Sequence, residues 1–457
     1  MDGDLRSSAR PATRRSFLRT TAGAFALGVL GGRPPAVLGQ AKEFKGVTLN
    51  GACFQHAYTN VLKELLPDFE EKTGMKVNFQ TPAFPVYNQR AELELSTRGS
   101  AWDFLNITFI YSGRWVGAGW MSSLEEFLRD RNATPPDWDA DDFVSGAQAS
   151  LTDARGTRYG FAWEAGAMIL AASRADLIEK AGMKLPETFE ELGKVCAAVD
   201  GKDGVKAFGN DNLHHWHWPP YLMGWGGKVF VDPPGNLTPA LESSEAVESA
   251  EFYANLLRQY SPPGTLSHTM DQTARLHRTG KANLRTQAIA WLVPLANAED
   301  STVRSTVRFG YMPRGPAGAF PGSVSHGFGI PVGAKQKRAA WEFIKWALSK
   351  EMVRRAALEK GYIAVCRRSV ITDPTYRKNM TFNGQDVAAL YLRVLEESGR
   401  LGYMRYRVVP VFPQVGDKIN KAIERIVTRQ QPAKEAMGQA QREAILDIKK
   451  AGIKIDA

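Results

Sequence analysis

A run of aromatic and imidazole rings spans residues 214–227, HHWHWPPYLMGWGG, and contains three histidines, three tryptophans and one tyrosine. Imidazoles can bind zinc, whereas indole rings can stack on a ligand or fill a core. Adjacent side chains of a strand point to opposite faces, and a helix would place only His217 or Trp218 on the face of His214. We also expect no cysteine or acidic side chain nearby that would complete a metal site. The run therefore favours an aromatic wall for a ligand over metal binding, with core packing an equal alternative for Trp218 and Trp225.

The elements that would position such a wall alternate between strands and helices, which predicts an α/β architecture with largely parallel sheets. A first strand at 47–53 precedes a helix that begins near Asn60, and Gly74 is placed to cap its end. Pro67 within this helix predicts a kink or a later start. Further helices are predicted at 188–199, where Thr188 and Glu191 would form a capping box, and at 243–257, 338–349, 417–427 and 432–450.

Composition limits the possible functions. The 457 residues are 44% hydrophobic and 23% charged, which is typical of a globular chain with about two to three domains. The sequence contains no uninterrupted run of about eighteen apolar residues, so no membrane-spanning helix is predicted. Residues 1–41 carry six arginines and two aspartates, and without them 52 basic residues stand against 46 acidic ones. This small excess lacks the dense Lys/Arg block of nucleic-acid binders, so no nucleic-acid partner is predicted.

Residues 1–41 are predicted to be a targeting segment. The stretch RRSFLR at 14–19, followed by a short run of small apolar residues, resembles a twin-arginine signal and predicts export to the periplasm. No cysteine follows it closely that could carry a lipid. The three cysteines, Cys53, Cys196 and Cys366, allow at most one internal disulfide, and buried free thiols are the favoured interpretation.

Several local motifs follow one another between residues 44 and 450. They are LLPDFEEKTGMKV at 65–77, WDF at 102–104, GWMSSL at 119–124, YGFAW at 159–163, RADLIEKAG at 174–182, PETFEEL at 186–192, TGKAN at 279–283 and KRAAWEFIKWALS at 337–349. In this order they resemble the extracellular solute-binding proteins of ABC importers, the family that includes maltose-binding protein. Two positions depart from the family pattern: Trp102 stands where proline is usual, and Asn283 where methionine is usual.

The resemblance implies a bilobal periplasmic-binding-protein-like fold of type II, with two α/β lobes joined by a hinge that closes on a solute. The implied divisions are 1–41 for the signal peptide, 42–150 and 301–350 for lobe 1, and 151–300 with 351–457 for lobe 2 and the C-terminal helices. The implied partners are a small-molecule solute, namely a sugar or polyol, and the permease subunits of an ABC transporter. The protein is expected to act as a monomer, with no cofactor and no metal.

Candidate ligand-binding residues lie at the junctions of predicted segments, in regions where the family contacts its solutes. A sugar or polyol presents C–H faces that stack on aromatic rings and hydroxyls that need hydrogen-bond partners. Ser325 and His326 fall in a Gly-rich stretch that we interpret as a turn. The candidates are Phe54, Gln55, His56, Thr108, Tyr111, Trp163, Glu164, His214, Trp216, Arg285, Trp291, Ser325, His326 and Tyr403.

Alternatives stay open at this point. Each aromatic candidate could instead be a packing residue. Arg285, Arg405 and Arg407 read as surface charges or lobe-to-lobe pairs, although an inward arginine would indicate an anionic solute such as a sugar acid or a phosphorylated glycerol. Asp103 and Glu164 could be the paired carboxylates of an exported carbohydrate hydrolase. A cofactor-loaded oxidoreductase is disfavoured, because the chain lacks cysteine clusters and a Rossmann glycine motif.

Overall fold

The computed structural model of the protein describes residues 43–456. The twin-arginine segment predicted at residues 1–41 lies outside the described residues. Among the helices of the described part, none combines the length and the apolar character needed to traverse a lipid bilayer.

Strands and helices alternate as the sequence predicts. The strands are β1 Thr48–Ala52, β2 Lys76–Gln80, β3 Phe104–Thr108, β4 Gly160–Ala172, β5 Lys206–Phe208, β6 Phe230–Asp232, β7 Asn236–Pro239, β8 Ala282–Ala288, β9 Arg308–Gly310, β10 Ser323–Gly329, β11 Thr381–Phe382 and β12 Gln385–Asp386. The α-helices are Ala57–Thr73, Phe84–Ser96, Ser112–Gly117, Glu125–Arg129, Ser145–Gln148, Ala175–Lys180, Phe189–Val199, His214–His217, Pro219–Gly224, Ser244–Tyr260, Met270–Arg278, Ile289–Leu292, Pro294–Asn297, Lys337–Ala347, Lys350–Lys360, Arg368–Ile371, Pro374–Asn379, Val387–Arg400, Phe412–Val427 and Ala433–Lys450.

The main sheet is mixed, with the order β2-β1-β3-β10-β4-β8-β5 and β9 paired to β4. β1 runs parallel to β2 and β3, and β5 runs parallel to β8. β10 is antiparallel to β3 and β4, and β4 is antiparallel to β8 and β9. The prediction of largely parallel sheets is therefore wrong. The physical reason is that the centre of the sheet is built from β4 and β10, which connect distant parts of the chain rather than successive strand–helix–strand units.

Two hydrophobic cores flank this centre. The first collects buried residues from 49–171 and 289–395, and the second collects residues from 168–288 and 403–448 together with Met312 and Val324. Near its end β4 contributes to both, because Ile169 faces the first core and Leu170 faces the second, as the alternation of a strand requires. Residues 352–395 pack in the first core, whereas the sequence prediction grouped all of 351–457 with the second lobe.

Local signals placed several helices correctly. The helix predicted near Asn60 spans Ala57–Thr73, and Gly74 ends it in the left-handed conformation with φ 72°. Pro67 lies inside this helix, so the later start is wrong. The predicted capping box is confirmed, because Thr188 Oγ1 accepts from the Glu191 N–H and the Glu191 carboxylate accepts from the Thr188 N–H. The three cysteines are buried free thiols, as favoured from the sequence.

Candidate functional site

Five rings meet where the loop after β1 reaches β4 and β10. The Phe54 ring centroid lies 4.8 Å from Phe84, 4.8 Å from His326 and 5.7 Å from Trp163. The His56 ring lies 4.9 Å from Trp163. We call these five residues, Phe54, His56, Phe84, Trp163 and His326, the ring cluster. Four of them were predicted from the sequence as candidates, and the structure brings those four together.

A β-bulge explains how neighbouring residues of β4 reach the same side. His326 pairs with Glu164, but Gly327 pairs with Ala162, so Trp163 is an extra residue opposite β10. In a regular strand Trp163 and Glu164 would point to opposite faces, whereas a bulge can re-aim a side chain. Here the Trp163 ring stacks 5.6 Å from the His326 ring, while Glu164 Oε2 lies 4.0 Å from His326 Nε2.

The predicted Gly-rich turn is instead the middle of β10, so that interpretation of Ser325 and His326 is wrong. Gly327 in this strand permits a close approach of β10 to its neighbours and does not make a bend. A Cβ on Gly327 would lie 2.6 Å from the Phe161 carbonyl oxygen and 2.2 Å from Leu151 Cδ1. Only glycine therefore lets β10 pack this closely against β4 at the bulge.

The Glu164 carboxylate lies between two imidazoles. Its Oε2 is 3.6 Å from His56 Nε2 and 4.0 Å from His326 Nε2, and the side chain is 16% exposed. Burial raises the pKa of Glu164, and the charge of His56 lowers it in part. Burial, followed by the charge of His56, lowers the pKa of His326 to about 3. Both distances exceed a hydrogen bond, so the carboxylate keeps acceptor capacity for hydroxyl donors.

The second core contributes a tryptophan beside the ring cluster. The Phe109 ring, just after β3, lies 5.2 Å from His326 and 6.3 Å from Trp216. Arg407 Cζ lies 5.0 Å from the Phe109 centroid and 5.5 Å from the Trp216 centroid. Phe109, which packs against the second core, therefore links the ring cluster to Trp216, and Arg407 contacts rings of the second core.

Arg407 differs from the two other large buried arginines. It is 2% exposed, and its Nη1 donates to the His215 carbonyl at 3.3 Å. Arg285 pairs with Asp211 and Arg367 pairs with Asp142. Among residues 43–456 no carboxylate pairs with Arg407, and the faces of three rings surround its guanidinium instead: Phe109, Trp216 and Phe412. Cation–π attraction thus takes the place of an ion pair.

Buried amides hold both tryptophans of the site. Trp163 Nε1 donates to Asn106 Oδ1 at 3.0 Å, and Trp216 Nε1 donates to Gln287 Oε1 at 2.8 Å. Gln287 Nε2 in turn donates to Asp211 Oδ2 at 3.0 Å. Each indole of the site is therefore oriented by an amide of its own core, Asn106 on β3 and Gln287 on β8.

The position of Asp211 shows that one expectation from the sequence is wrong. No acidic side chain was expected beside the histidines of the 214–227 run, yet Asp211 Oδ1 lies 3.0 Å from His217 Nε2. Arg285 Nη2 donates to Asp211 Oδ2 at 2.9 Å, and all three side chains are fully buried. Burial alone would raise the pKa of Asp211, but His217 and Arg285 outweigh it and lower the pKa. In the described part of the chain, no group of three metal-ligating side chains is suited to hold a metal ion.

Three further predicted residues belong to the second core. His214 is fully buried with Nδ1 3.5 Å from the Tyr253 hydroxyl, and burial lowers its pKa to about 3. Arg285 is buried inside the core, so its interpretation as a surface or lobe-to-lobe charge is wrong. Trp291 lies in the short helix Ile289–Leu292 and is half-buried against the second core.

The five remaining predicted residues are not members of the ring cluster and make other contacts. Thr108 is buried and pairs with His326 across β3 and β10. Tyr111 stacks on Trp115 at 5.9 Å. Gln55 is exposed. The Ser325 hydroxyl donates to the Ala147 carbonyl, and the buried Tyr403 hydroxyl accepts a hydrogen bond from the Tyr406 hydroxyl at 3.3 Å.

A cavity of about 730 Å³ lies apart from the ring cluster and is not lined by any of its five residues. Its lining comes from 112–117, 149–156, 232–235 and 399–410, which belong to both cores. The ring cluster, rather than this cavity, combines aromatic faces with Glu164, a carboxylate that lies between two imidazoles beyond hydrogen-bond distance. We therefore take the ring cluster, Glu164, Phe109 and Trp216 as the candidate site.

Sequence reasoning missed Phe84, Asn106, Asp211, Gln287 and the role of Arg407 in holding rings. Asn106 and Gln287 are polar residues inside strands whose other residues are buried, FLNIT and ANLRTQA, and that signal marks a buried amide. Asp211 lies three residues before His214, which is a signal that could have been read. Nothing local marks Arg407, because two of its three ring partners, Phe109 and Trp216, are distant in sequence.

The sequence is similar to known proteins along most of its length. A family model described as bacterial extracellular solute-binding protein matches residues 55–354. A mannitol-binding protein of Pseudomonas aeruginosa is 24% identical over 393 residues, covering 80% of this chain and 85% of the relative. An erythritol/L-threitol-binding protein of Mycolicibacterium smegmatis is 22% identical over 355 residues, covering 74% of each.

Solved structures share the fold. A solute-binding protein of Agrobacterium radiobacter in complex with ribitol has a TM-score of 0.74 at 24% identity, covering 88% of this chain and 98% of the other. A solute-binding protein of Agrobacterium vitis with bound D-mannitol has a TM-score of 0.72 at 23% identity, covering 89% of this chain and 99% of the other. The predicted bilobal α/β fold is confirmed by these likenesses.

Proposed function

The chain belongs to the bacterial extracellular solute-binding protein family, and from this membership we propose that it captures a polyol or sugar and delivers it to the permease of an ABC importer. The solute would lie between the ring cluster of the first core and Trp216 of the second. Relatives named for mannitol and for erythritol or L-threitol favour an acyclic polyol within this class.

The observation that carries the proposal is the Glu164 carboxylate among aromatic rings. Its oxygens make no hydrogen bond to a donor within residues 43–456, although the nearest imidazole nitrogen is 3.6 Å away. A polyol supplies both of the complementary features, since hydroxyls donate to the carboxylate and C–H faces stack on Trp163 and Trp216. Of the fourteen candidate residues, the six that belong to this site would contact the solute: Phe54, His56, Trp163, Glu164, Trp216 and His326.

The remaining parts of the proposal follow from the family and the sequence. The protein is exported through its twin-arginine segment, works in the periplasm as a monomer, and passes its solute to permease subunits without changing it chemically. The alternative of paired catalytic carboxylates has no support from Asp103. Both of its oxygens accept backbone N–H groups, Oδ2 from Asn50 and Oδ1 from Gln336, each at 3.0 Å.

The test is calorimetric titration of the purified protein with D-mannitol, ribitol, erythritol, maltose and the corresponding sugar acids. We expect saturable binding of at least one polyol and recovery of that polyol unchanged after incubation. Binding of a sugar acid in preference to every polyol would replace the neutral-solute assignment. Absence of binding across the panel would overturn the proposal.

A further inference from the structure

The two tryptophans of the site are anchored differently. Both indoles donate to a buried amide, Trp163 to Asn106 and Trp216 to Gln287. The Asn106 amide nitrogen has no hydrogen-bond partner within the described residues, whereas the Gln287 amide nitrogen donates to Asp211. Only Trp216 is therefore connected to a buried carboxylate.

The contacts of Gln287 fix which way its amide faces. Its Oε1 accepts from Trp216 Nε1 at 2.8 Å and from the Ala288 N–H at 2.7 Å, so the oxygen is held towards two donors. Its Nε2 faces Asp211 Oδ2, an acceptor only. With Asp211 ionised, the amide has a single orientation that satisfies every group, and that orientation presents an acceptor to the indole.

Arg285 and His217 keep Asp211 ionised in a fully buried position. Arg285 donates to Asp211 Oδ2, and His217 Nε2 lies 3.0 Å from Oδ1. A buried carboxylate without such partners would take up a proton and lose its fixed acceptor role. Arg285 and His217 therefore maintain a fully buried carboxylate, which Gln287 connects by hydrogen bonds to the Trp216 indole.

We propose that Asp211 is a positioning residue for solute binding, which acts through Gln287 to fix the plane of the Trp216 indole. This inference rests on the proposed function, because it assumes that the solute stacks on Trp216. Asp211 itself touches no solute. Its replacement by alanine removes the acceptor that Asp211 Oδ2 offers to Gln287 Nε2, so the glutamine amide is no longer held in the orientation that presents its oxygen to the indole.

The test compares Asp211→Ala with Asp142→Ala by calorimetric titration with whichever of D-mannitol, ribitol and erythritol binds the unmodified protein most tightly. Asp142 is the matched control, since it also pairs with a buried arginine, Arg367, but in the first core and with no contact to the ring cluster or Trp216. We expect Asp211→Ala to weaken binding by about tenfold or more and Asp142→Ala to leave it unchanged.

A double variant separates positioning from general destabilisation. In Asp211→Ala with Gln287→Glu, the new carboxylate accepts from the Trp216 indole and gives a charged partner to Arg285, which bonds the same Asp211 oxygen as Gln287 does. We expect this variant to recover most of the affinity lost in Asp211→Ala. Equal affinity loss in Asp211→Ala and Asp142→Ala, or no recovery in the double variant, would overturn the proposal.

A second readout needs no solute. Hydrogen exchange of the Trp216 indole N–H, followed by NMR on protein labelled with ¹⁵N-tryptophan, should accelerate in Asp211→Ala and stay slow in Asp142→Ala. Unchanged exchange in Asp211→Ala would overturn the positioning role whatever the affinity. If no polyol binds the unmodified protein, the proposed function fails, and the indole exchange alone then decides whether Asp211 positions Trp216.

Discussion

Glu164 combines a cost in stability with a gain in binding. Its pKa is raised chiefly by burial, so the ionised form is disfavoured in the folded state. A carboxyl whose folded pKa exceeds its unfolded pKa adds stability at low pH, and this contribution is lost as the pH rises through the folded pKa. At neutral and alkaline pH the charged carboxylate therefore lowers the stability of the folded protein, which is expected of a binding group.

We predict that Glu164→Gln weakens polyol binding and raises the midpoint of thermal unfolding at neutral pH. A hydrogen bond to a charged group contributes about 1.5–3 kcal/mol, which sets the expected loss of binding free energy. The amide carries no charge, so the stability cost of the carboxylate disappears. Titration calorimetry and thermal unfolding across a pH series measure the two effects.

The control for this change is Glu71→Gln, an exposed glutamate on the helix Ala57–Thr73. It should leave binding and the unfolding midpoint unchanged. A Glu164→Gln protein that binds polyol as tightly as the unmodified protein would remove Glu164 from the site.

Arg407 offers a second prediction at the residue scale. Arg407→Met keeps the length of the side chain but removes the cation that contacts Phe109 and Trp216. Because no carboxylate pairs with Arg407 in the described part, no charge is left uncompensated, and the free energy of unfolding should change by less than about 2 kcal/mol. Solute binding should weaken, because Phe109 and Trp216 lose the group between them, and Arg405→Met, two residues earlier and exposed, should not weaken it. Loss of stability without loss of affinity would contradict this account.

The candidate site was predictable in part from single residues. Phe54, His56, Trp163, Glu164 and His326 stood at the ends of predicted segments, where α/β proteins place their ligand-contacting side chains. Their mutual arrangement was not predictable, because it depends on a β-bulge defined by pairing with a strand about 160 residues away. The Asp211–Gln287–Trp216 chain was missed for the same reason, since hydrogen bonds over more than 70 residues leave no local pattern.

At the scale of elements, local signals determined where helices begin and end. The helix Phe189–Val199 ends where it was predicted to end, and its capping box is present. Strand direction was not predictable from such signals. Alternating strands and helices suggested parallel pairing, but β4 is thirteen residues long and pairs with β10 along one half and with β8 and β9 along the other. The direction of β4 depends on how the chain connects the two cores, and no residue pattern within the strand indicates it.

Thr188→Ala tests whether this cap is a purely structural feature. Removing an N-cap threonine costs about 1 kcal/mol, because the Glu191 N–H loses its acceptor. We expect the free energy of unfolding to fall by that amount in urea titrations while polyol affinity stays constant. Thr428→Ala, an exposed threonine that follows the helix Phe412–Val427, is the matched control and should cost less. A change in affinity for Thr188→Ala would show that this helix is coupled to the site.

At the scale of the whole molecule, the site lies where the two cores meet. The chain passes between the cores within β4, between Ala288 and Ile289, twice between Phe309 and Phe328, and between Leu395 and Tyr403. Glu164 lies on the first of these passages, Gln287 borders the second, and Arg407 follows the last. A change in the angle between the cores would therefore move the ring cluster relative to Trp216, and solute bound to both would hold the cores at one angle.

This arrangement predicts that polyol binding makes the molecule more compact. A solute that contacts Glu164 on one core and Trp216 on the other favours the closed form by its extra contacts there, so the radius of gyration from small-angle X-ray scattering should decrease on addition of D-mannitol. Glu164→Gln at the same mannitol concentration should keep the scattering profile of the free protein, since it binds too weakly to be saturated. A calorimetrically saturated protein whose scattering profile does not change would show that the cores keep one angle, and that capture occurs by entry into a preformed site without hinge closure.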